Sequence, residues 1–144
     1  MQLYGGGDKT SLYKLILQLN ITDSFQINEA TTDILKKYTE SSICILSSRF
    51  EGFGMSIAEA MSCGIPVVSF NCPCGPRYII RDGEDGILVE NGNVEKLADK
   101  ICYLIENEHR RKEMGRKARI NIKRFETEQI MSQWIKLFEE LLRI

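Results

Sequence analysis

The run Ser48-Arg49-Phe50-Glu51-Gly52-Phe53-Gly54-Met55-Ser56-Ile57-Ala58-Glu59-Ala60-Met61 constrains this chain more than any other, because it sets two carboxylates eight positions apart around a glycine-rich turn. Ser42-Ile43-Cys44-Ile45-Leu46 before it reads as a buried strand, and Ser56 with Glu59 forms an S-x-x-E capping box at a helix start. The turn therefore joins the C-terminal end of a strand to the mouth of a helix, which is where open α/β sheets bind ligands. Gly54, Met55, Ser56 and Ile57 would offer backbone N–H groups there at low steric cost, beside the positive end of the helix dipole. An anion is expected at such a mouth, and a phosphate fits it best.

Strand and helix signals alternate along the rest of the chain, as a parallel sheet requires. Leu3-Tyr4 ends a strand, Gly5-Gly6-Gly7-Asp8 turns, and a helix follows with Leu12, Leu15, Ile16 and Leu19 on one face. A short strand is expected over 25–27, a helix over 33–40, a strand over 66–70, a short helix over 75–81 and a last strand over 87–89. Three helices close the chain at 94–106, 108–124 and 127–143, the first with Val94, Leu97, Ala98, Ile101, Leu104 and Ile105 on one stripe. At 144 residues this is one domain, large enough to bury about 70% of the surface of its unfolded chain.

The pattern continues through Glu59-Ala60-Met61-Ser62-Cys63-Gly64-Ile65-Pro66-Val67-Val68, Cys72-Pro73-Cys74-Gly75-Pro76-Arg77, Asp82-Gly83-Glu84-Asp85-Gly86-Ile87-Leu88-Val89 and the tail from Phe125 to Phe138. In this order the segments resemble retaining glycosyltransferases of the GT-B architecture, specifically glycosyltransferase family 4, with Glu51 and Glu59 as the E-x7-E signature. The resemblance covers nearly the whole chain. It implies an α/β fold, a Rossmann-like doubly wound parallel sheet, forming the C-terminal half of GT-B. That half is the nucleotide-sugar donor-binding domain, here residues 1–144.

The activity implied is retaining transfer of a hexose from a UDP-, GDP- or ADP-sugar to a glycan or lipid-linked acceptor, in polysaccharide biosynthesis. By resemblance Glu59 binds the nucleotide ribose and Glu51 contacts the donor sugar and orients it for transfer. The chemistry suits them, since a carboxylate accepts hydrogen bonds from both hydroxyls of a vicinal diol. The local alternatives are that Glu59 merely completes the capping box and that Glu51 is an ordinary turn residue. Phe53 reads as a packing residue. Gly6 and Gly7 border the cleft, although Thr10 stands where a third dinucleotide-type glycine would be. The nucleotide base is placed near Ala30, where Glu29 departs from the family's usual glycine.

The family's domain opens with a further strand and helix carrying an Arg and a Lys that clamp the diphosphate, and here the chain starts at what would be the second strand. A fragment is expected, lacking that unit and the N-terminal acceptor domain, and inactive when isolated. A non-catalytic nucleotide-binding or scaffold fragment is the alternative. A dehydrogenase is disfavoured by the broken glycine fingerprint. The chain has no D-x-D pair, and Asp82 and Asp85 sit in a turn, so metal independence and no cofactor are expected.

A formal net charge of −1 gives no reason to expect a nucleic-acid partner. Five cysteines without a regular framework point to a reducing, cytoplasmic compartment, and Cys72-Pro73-Cys74 lacks the second ligand pair of a zinc site. From Arg110 to Arg124, eight basic residues (Arg110, Arg111, Lys112, Arg116, Lys117, Arg119, Lys123 and Arg124) face one acid, Glu113. The plain reading is a solvated helix face. The sharper one is contact with anionic lipid at the inner face of the membrane, worth about 1 kcal/mol per basic residue. The final helix carries Ile130, Met131, Trp134, Ile135, Phe138, Leu141 and Leu142, too apolar for a free surface helix. It is expected to fold back onto the fragment or to make a homodimer contact.

Overall fold

A computed structural model describes residues 1–143 of the chain. They divide into two compact units, Met1–Ile34 and Leu35–Ile144. The first holds β1 (Gln2–Tyr4), α1 (Thr10–Gln18) and β2 (Gln26–Asn28), with β1 and β2 paired in parallel and Leu3 opposite Ile27. Helix α1 ends where Asn20 takes a positive φ of 53°, letting Ile21 N–H reach the Ile16 carbonyl at 3.2 Å. Only Ile16 of α1 is buried. Leu12, Leu15 and Leu19, expected to face a core, are exposed, because a pair of three-residue strands has too little surface to cover them.

The second unit carries α2 (Ile34–Thr39), which begins at the boundary, then β3 (Cys44–Leu46), α3 (Met55–Ser62), β4 (Val67–Phe70), α4 (Pro76–Ile79) and β5 (Gly86–Val89). Helices α5 (Val94–Glu106) and α6 (Glu108–Asn121), a 3-10 turn at Ile122–Phe125, and α7 (Thr127–Leu141) complete it. The sheet is parallel in the order β3-β4-β5, so β4 is central. All four β4 residues are buried, as a parallel strand covered on both faces requires. Val67 joins Ile57, Ala60, Met61, Ile79, Ala118 and Ile122 in one core, while Val68 and Phe70 join Ile87, Val89, Leu97, Leu104 and Met114 in another. One strand thus feeds two cores through its alternating side chains, which is the doubly wound arrangement.

Local chemistry sets the helix ends. The N-cap of α5, Asn93, accepts a hydrogen bond from Lys96 N–H at 3.0 Å. Helix α3 closes with a Schellman turn in which Gly64 N–H reaches Met61 O at 2.9 Å and Ile65 N–H reaches Ala60 O at 3.0 Å. Gly115 of α6 lies against that turn so closely that a Cβ would stand 2.2 Å from the Gly64 carbonyl oxygen. The expected single helix over 108–124 instead tightens into 3-10 geometry after Asn121, where Arg124 Nη1 donates to the Asn121 carbonyl at 2.7 Å. The α5 stripe is narrower than expected. Leu97 and Leu104 are buried, Ile101 is half-buried, and Val94, Ala98 and Ile105 are exposed.

Helix α7 corrects a further expectation: it does not fold onto the rest of the chain. None of its residues is buried, and Trp134 and Phe138 contact each other at 5.7 Å with their surfaces still half open. Among the described residues, no layer covers its apolar side. Among the described residues, no helix is long and apolar enough to cross a membrane.

Candidate functional site at the mouth of helix α3

The chain leaves β3 at Leu46 and enters α3 through Gly54, whose φ of 95° and ψ of 56° lie in the left-handed region that favours glycine. The Gly54 carbonyl accepts from Ile57 N–H at 2.9 Å, so that group is turned into the helix. Gly54, Met55 and Ser56 keep N–H groups without a backbone partner at the positive end of α3.

The expected capping box is absent. Gly54 is the N-cap, Ser56 is already the second helical residue, and no side chain caps the helix. The left-handed glycine starts the helix earlier than the S-x-x-E pattern implied, and its carbonyl accepts from the N–H groups of Ile57 and Ala58. Glu59 is thereby released from the capping role, and its Oε2 accepts instead from the Tyr38 hydroxyl of α2 at 3.4 Å. Glu59, Ala58 and Ser62 also line an open groove of about 270 Å³ with Ile122, Lys123, Phe125 and Glu126.

Glu51, which precedes the turn at Gly54, lies against the loop that follows β4. Gly75 N–H donates to Gly52 O at 3.3 Å, and a Cβ on Gly75 would stand 2.4 Å from Phe53 O and 3.0 Å from Glu51 Cβ. The Cys72 thiol is buried, and burial first, then the Glu51 carboxylate, pushes its pKa up. Two loops at the C-terminal ends of neighbouring parallel strands therefore clasp each other and fix Glu51 at their junction. Phe53 packs edge-on against Phe125 with ring centroids 5.5 Å apart, the packing role its position suggested.

Gly6, Gly7 and Ala30 belong to the first unit. No atom lies within 4 Å of a Cβ built on Gly6 or Gly7, and Gly7 has φ of 90°. The Asp8 carboxylate beside them accepts from the Thr10 hydroxyl at 2.6 Å and the Thr10 N–H at 2.9 Å. Glu29, the departure from the family pattern, is paired with Lys9 at 2.7 Å, and Lys9 also donates to Asn28 O at 3.2 Å. That ion pair ties the glycine turn to the loop carrying Ala30. Lys9, Tyr38, Gly75 and Cys72 were not legible as site-shaping residues, since their roles depend on partners distant in sequence.

The basic run is less free than its composition suggested. Arg110 and Lys117 both pair with Glu113, at 2.9 and 3.0 Å, and Lys112 pairs with Glu108 at 2.7 Å. Arg111 caps α5 by donating to Leu104 O at 2.7 Å and Ile105 O at 3.0 Å. Arg124 donates to the Ile79 carbonyl and stacks 4.7 Å from the centre of the Phe125 ring. Asp85, fully buried, accepts from Arg81 N–H at 2.7 Å and Asn121 Nδ2 at 3.0 Å, and so organises its own turn. Among the described residues, no group of three or more His, Cys, Asp or Glu could hold a metal ion.

Comparison with known proteins bears on this geometry. The sequence profile of the family described as "Glycosyl transferases group 1" matches residues 2–121. The chain is 36% identical over 138 residues to a poly(ribitol-phosphate) alpha-N-acetylglucosaminyltransferase of Staphylococcus aureus (strain COL), covering 94% of this chain and 28% of that one. It superposes with a TM-score of 0.89 on a S. aureus TarM variant crystallised with fondaparinux, alpha-GlcNAc-glycerol and UDP, at 35% identity, covering 95% of this chain and 28% of that one. Anabaena HepE in complex with UDP-glucose gives a TM-score of 0.85 at 25% identity, covering 96% of this chain and 40% of that one. The chain thus spans well under half the length of these proteins.

Proposed function

This chain belongs to the glycosyl transferases group 1 family, and we propose that it is the donor-binding domain of a retaining GT-B enzyme of glycosyltransferase family 4. The full-length enzyme transfers a hexose from a nucleotide-diphosphate sugar to a glycan or lipid-linked acceptor. The observation that carries this reading is the mouth of α3, where unpartnered backbone N–H groups and a left-handed glycine lie, along the chain, between two carboxylates with separate neighbours.

In the proposed reaction the bond between the sugar's anomeric carbon and the diphosphate oxygen breaks. A bond to the acceptor oxygen forms on the same face, and the acceptor's proton passes to the leaving phosphate. The barrier lies in separating charge, so donors preset around the departing diphosphate lower it without reorganising. The N–H groups of Gly54, Met55 and Ser56 supply that function. Glu59 accepts from the ribose diol, and Glu51, held by the Gly75 loop, accepts from sugar hydroxyls and orients the anomeric carbon. The UDP and UDP-glucose in the crystal structures of the similar proteins support a UDP-type donor.

Calorimetric titration with UDP, GDP and ADP tests the reading. One nucleotide should bind selectively, and Glu59→Ala should weaken it about tenfold or more, the loss expected for a charge-assisted hydrogen-bonding partner. Equal affinity in the variant would remove Glu59 from the ribose site. The basic side of α6 and the 3-10 turn after it supports a second proposal, peripheral contact with anionic lipid at the inner face of the membrane through Arg116, Arg119 and Lys123. Vesicle flotation with and without anionic lipid decides it, and equal recovery sinks it.

A further inference from the structure

Glu59 has a partner that the sequence signature does not contain. Tyr38 is on the six-residue helix α2, twenty-one positions earlier, and its hydroxyl donates to Glu59 Oε2 at 3.4 Å. The ring is half-buried and packs against the core that includes Ile57, Ala60 and Met61 of α3. That packing fixes where the hydroxyl points, since a tyrosine has few torsions left once its ring is held. Two thiols share the neighbourhood: Cys63, whose Sγ lies 3.9 Å from Leu35 O, and Cys44 at the start of β3. Burial first, then the charges of Cys44, Glu59 and Cys63, pushes the Tyr38 hydroxyl well above its ordinary pKa, and burial lifts the Cys44 thiol to about 11. A protonated phenol facing a carboxylate can only donate to it.

We propose that Tyr38 is a positioning residue of the donor site, holding one oxygen of Glu59 so that the other is preset for the ribose diol of a nucleoside diphosphate. The inference rests on the reading of Glu59 as the ribose ligand. Even a half-buried glutamate on a helix face can sample several rotamers, and ordering it on binding subtracts from affinity. A hydroxyl anchored in the core removes part of that cost beforehand. At 3.4 Å the bond is long for O–H···O, in keeping with a contact that tightens once ligand fixes the carboxylate.

The test compares UDP, GDP and ADP with their 2′,3′-dideoxy counterparts on the unaltered chain, Tyr38→Phe, Glu59→Gln and the double variant. The unaltered chain should prefer the ribonucleotide, and Glu59→Gln should abolish the preference. Tyr38→Phe should cut it about three- to tenfold, the range for one lost hydrogen bond, with affinity for the dideoxy form unchanged. The double variant should match Glu59→Gln alone, because Tyr38 acts through that carboxylate. A Tyr38→Phe variant that weakens both forms alike, or neither, would reduce Tyr38 to a packing residue and overturn the inference. Persistence of the preference in Glu59→Gln would instead overturn the ribose reading. Nuclear magnetic resonance of ring-labelled tyrosine reads the bond without nucleotide: the Tyr38 Cζ signal should move in Glu59→Gln more than those of the other tyrosines. An unmoved signal also overturns the proposal.

Discussion

Two glycine-rich turns lead from strand to helix in this chain, each with a glycine at positive φ, Gly7 at 90° and Gly54 at 95°, and they differ in what packs against them. Around Gly5-Gly6-Gly7 a Cβ would meet nothing within 4 Å. Around Gly52-Phe53-Gly54 the backbone is clasped by the Gly75 loop, and a Cβ on Gly75 would drive into the Phe53 carbonyl at 2.4 Å. The first turn is open to whatever approaches it. The second is a packed joint that fixes a carboxylate on one side and presents helix N–H groups on the other. Richness in glycine is therefore a poor guide to a binding turn; what the absent Cβ would have touched is a better one.

The largest effect should come from Gly75→Ala. Steric overlap with backbone, added to strained φ, should cost about 3 kcal/mol, read as a fall in the urea midpoint. A loss below about 1 kcal/mol would show that the clasp yields easily, and the contrast between the turns would collapse. Gly54→Ala comes next, at about 2 kcal/mol, from its φ of 95° and the Ile57 Cδ1 atom 3.0 Å from the new methyl. It should also weaken nucleotide binding by tilting the first turn of α3. Gly7→Ala should cost about 1 kcal/mol, because its φ of 90° is strained although its surroundings are empty. Gly6→Ala should stay within about 0.5 kcal/mol of the unaltered chain. Parallel urea melts of the four variants would rank them, and any inversion between Gly75 and Gly6 would break the comparison.

A last, smaller effect sharpens the open turn. The hydroxyl and then the N–H of Thr10 hold the Asp8 carboxyl below its ordinary range. A depressed folded pKa gives stability that is present above the unfolded value and is lost as pH falls through the folded one. Thr10→Ala removes the first of these donors and should therefore flatten the acid limb of a stability profile, taken as urea midpoints between about pH 6 and about pH 2, by lowering the neutral end while the acid end stays nearly unchanged.

Much of the architecture was legible because it rests on local signals. The α5 helix was expected over 94–106 and is found at Val94–Glu106, since the Asn93 cap just before it and the Leu97–Leu104 spacing within it are local signals. The strand at Val67–Phe70 was readable from an apolar run after Pro66, and its burial on both faces follows from parallel pairing. The S-x-x-E reading failed because the same four letters serve at an N-cap or two residues inside a helix, and the left-handed Gly54 decides which. The 108–124 helix was read too long because a 3-10 turn keeps nearly the same apolar spacing as the α-helix it ends.

The sequence by itself determined the alternating strand and helix pattern, the glycine turn and the eight-residue separation of Glu51 and Glu59, since each is a matter of order and spacing along the chain. Only the tertiary structure decided which neighbours those carboxylates have: Gly75 and Cys72 beside Glu51, Tyr38 beside Glu59. It also showed that most of the basic run is spent on pairs and caps within the molecule. The physical reason is the same in each case. A side chain's charge state, orientation and accessibility are set by groups brought alongside it by packing, and packing joins residues that spacing along the chain leaves apart.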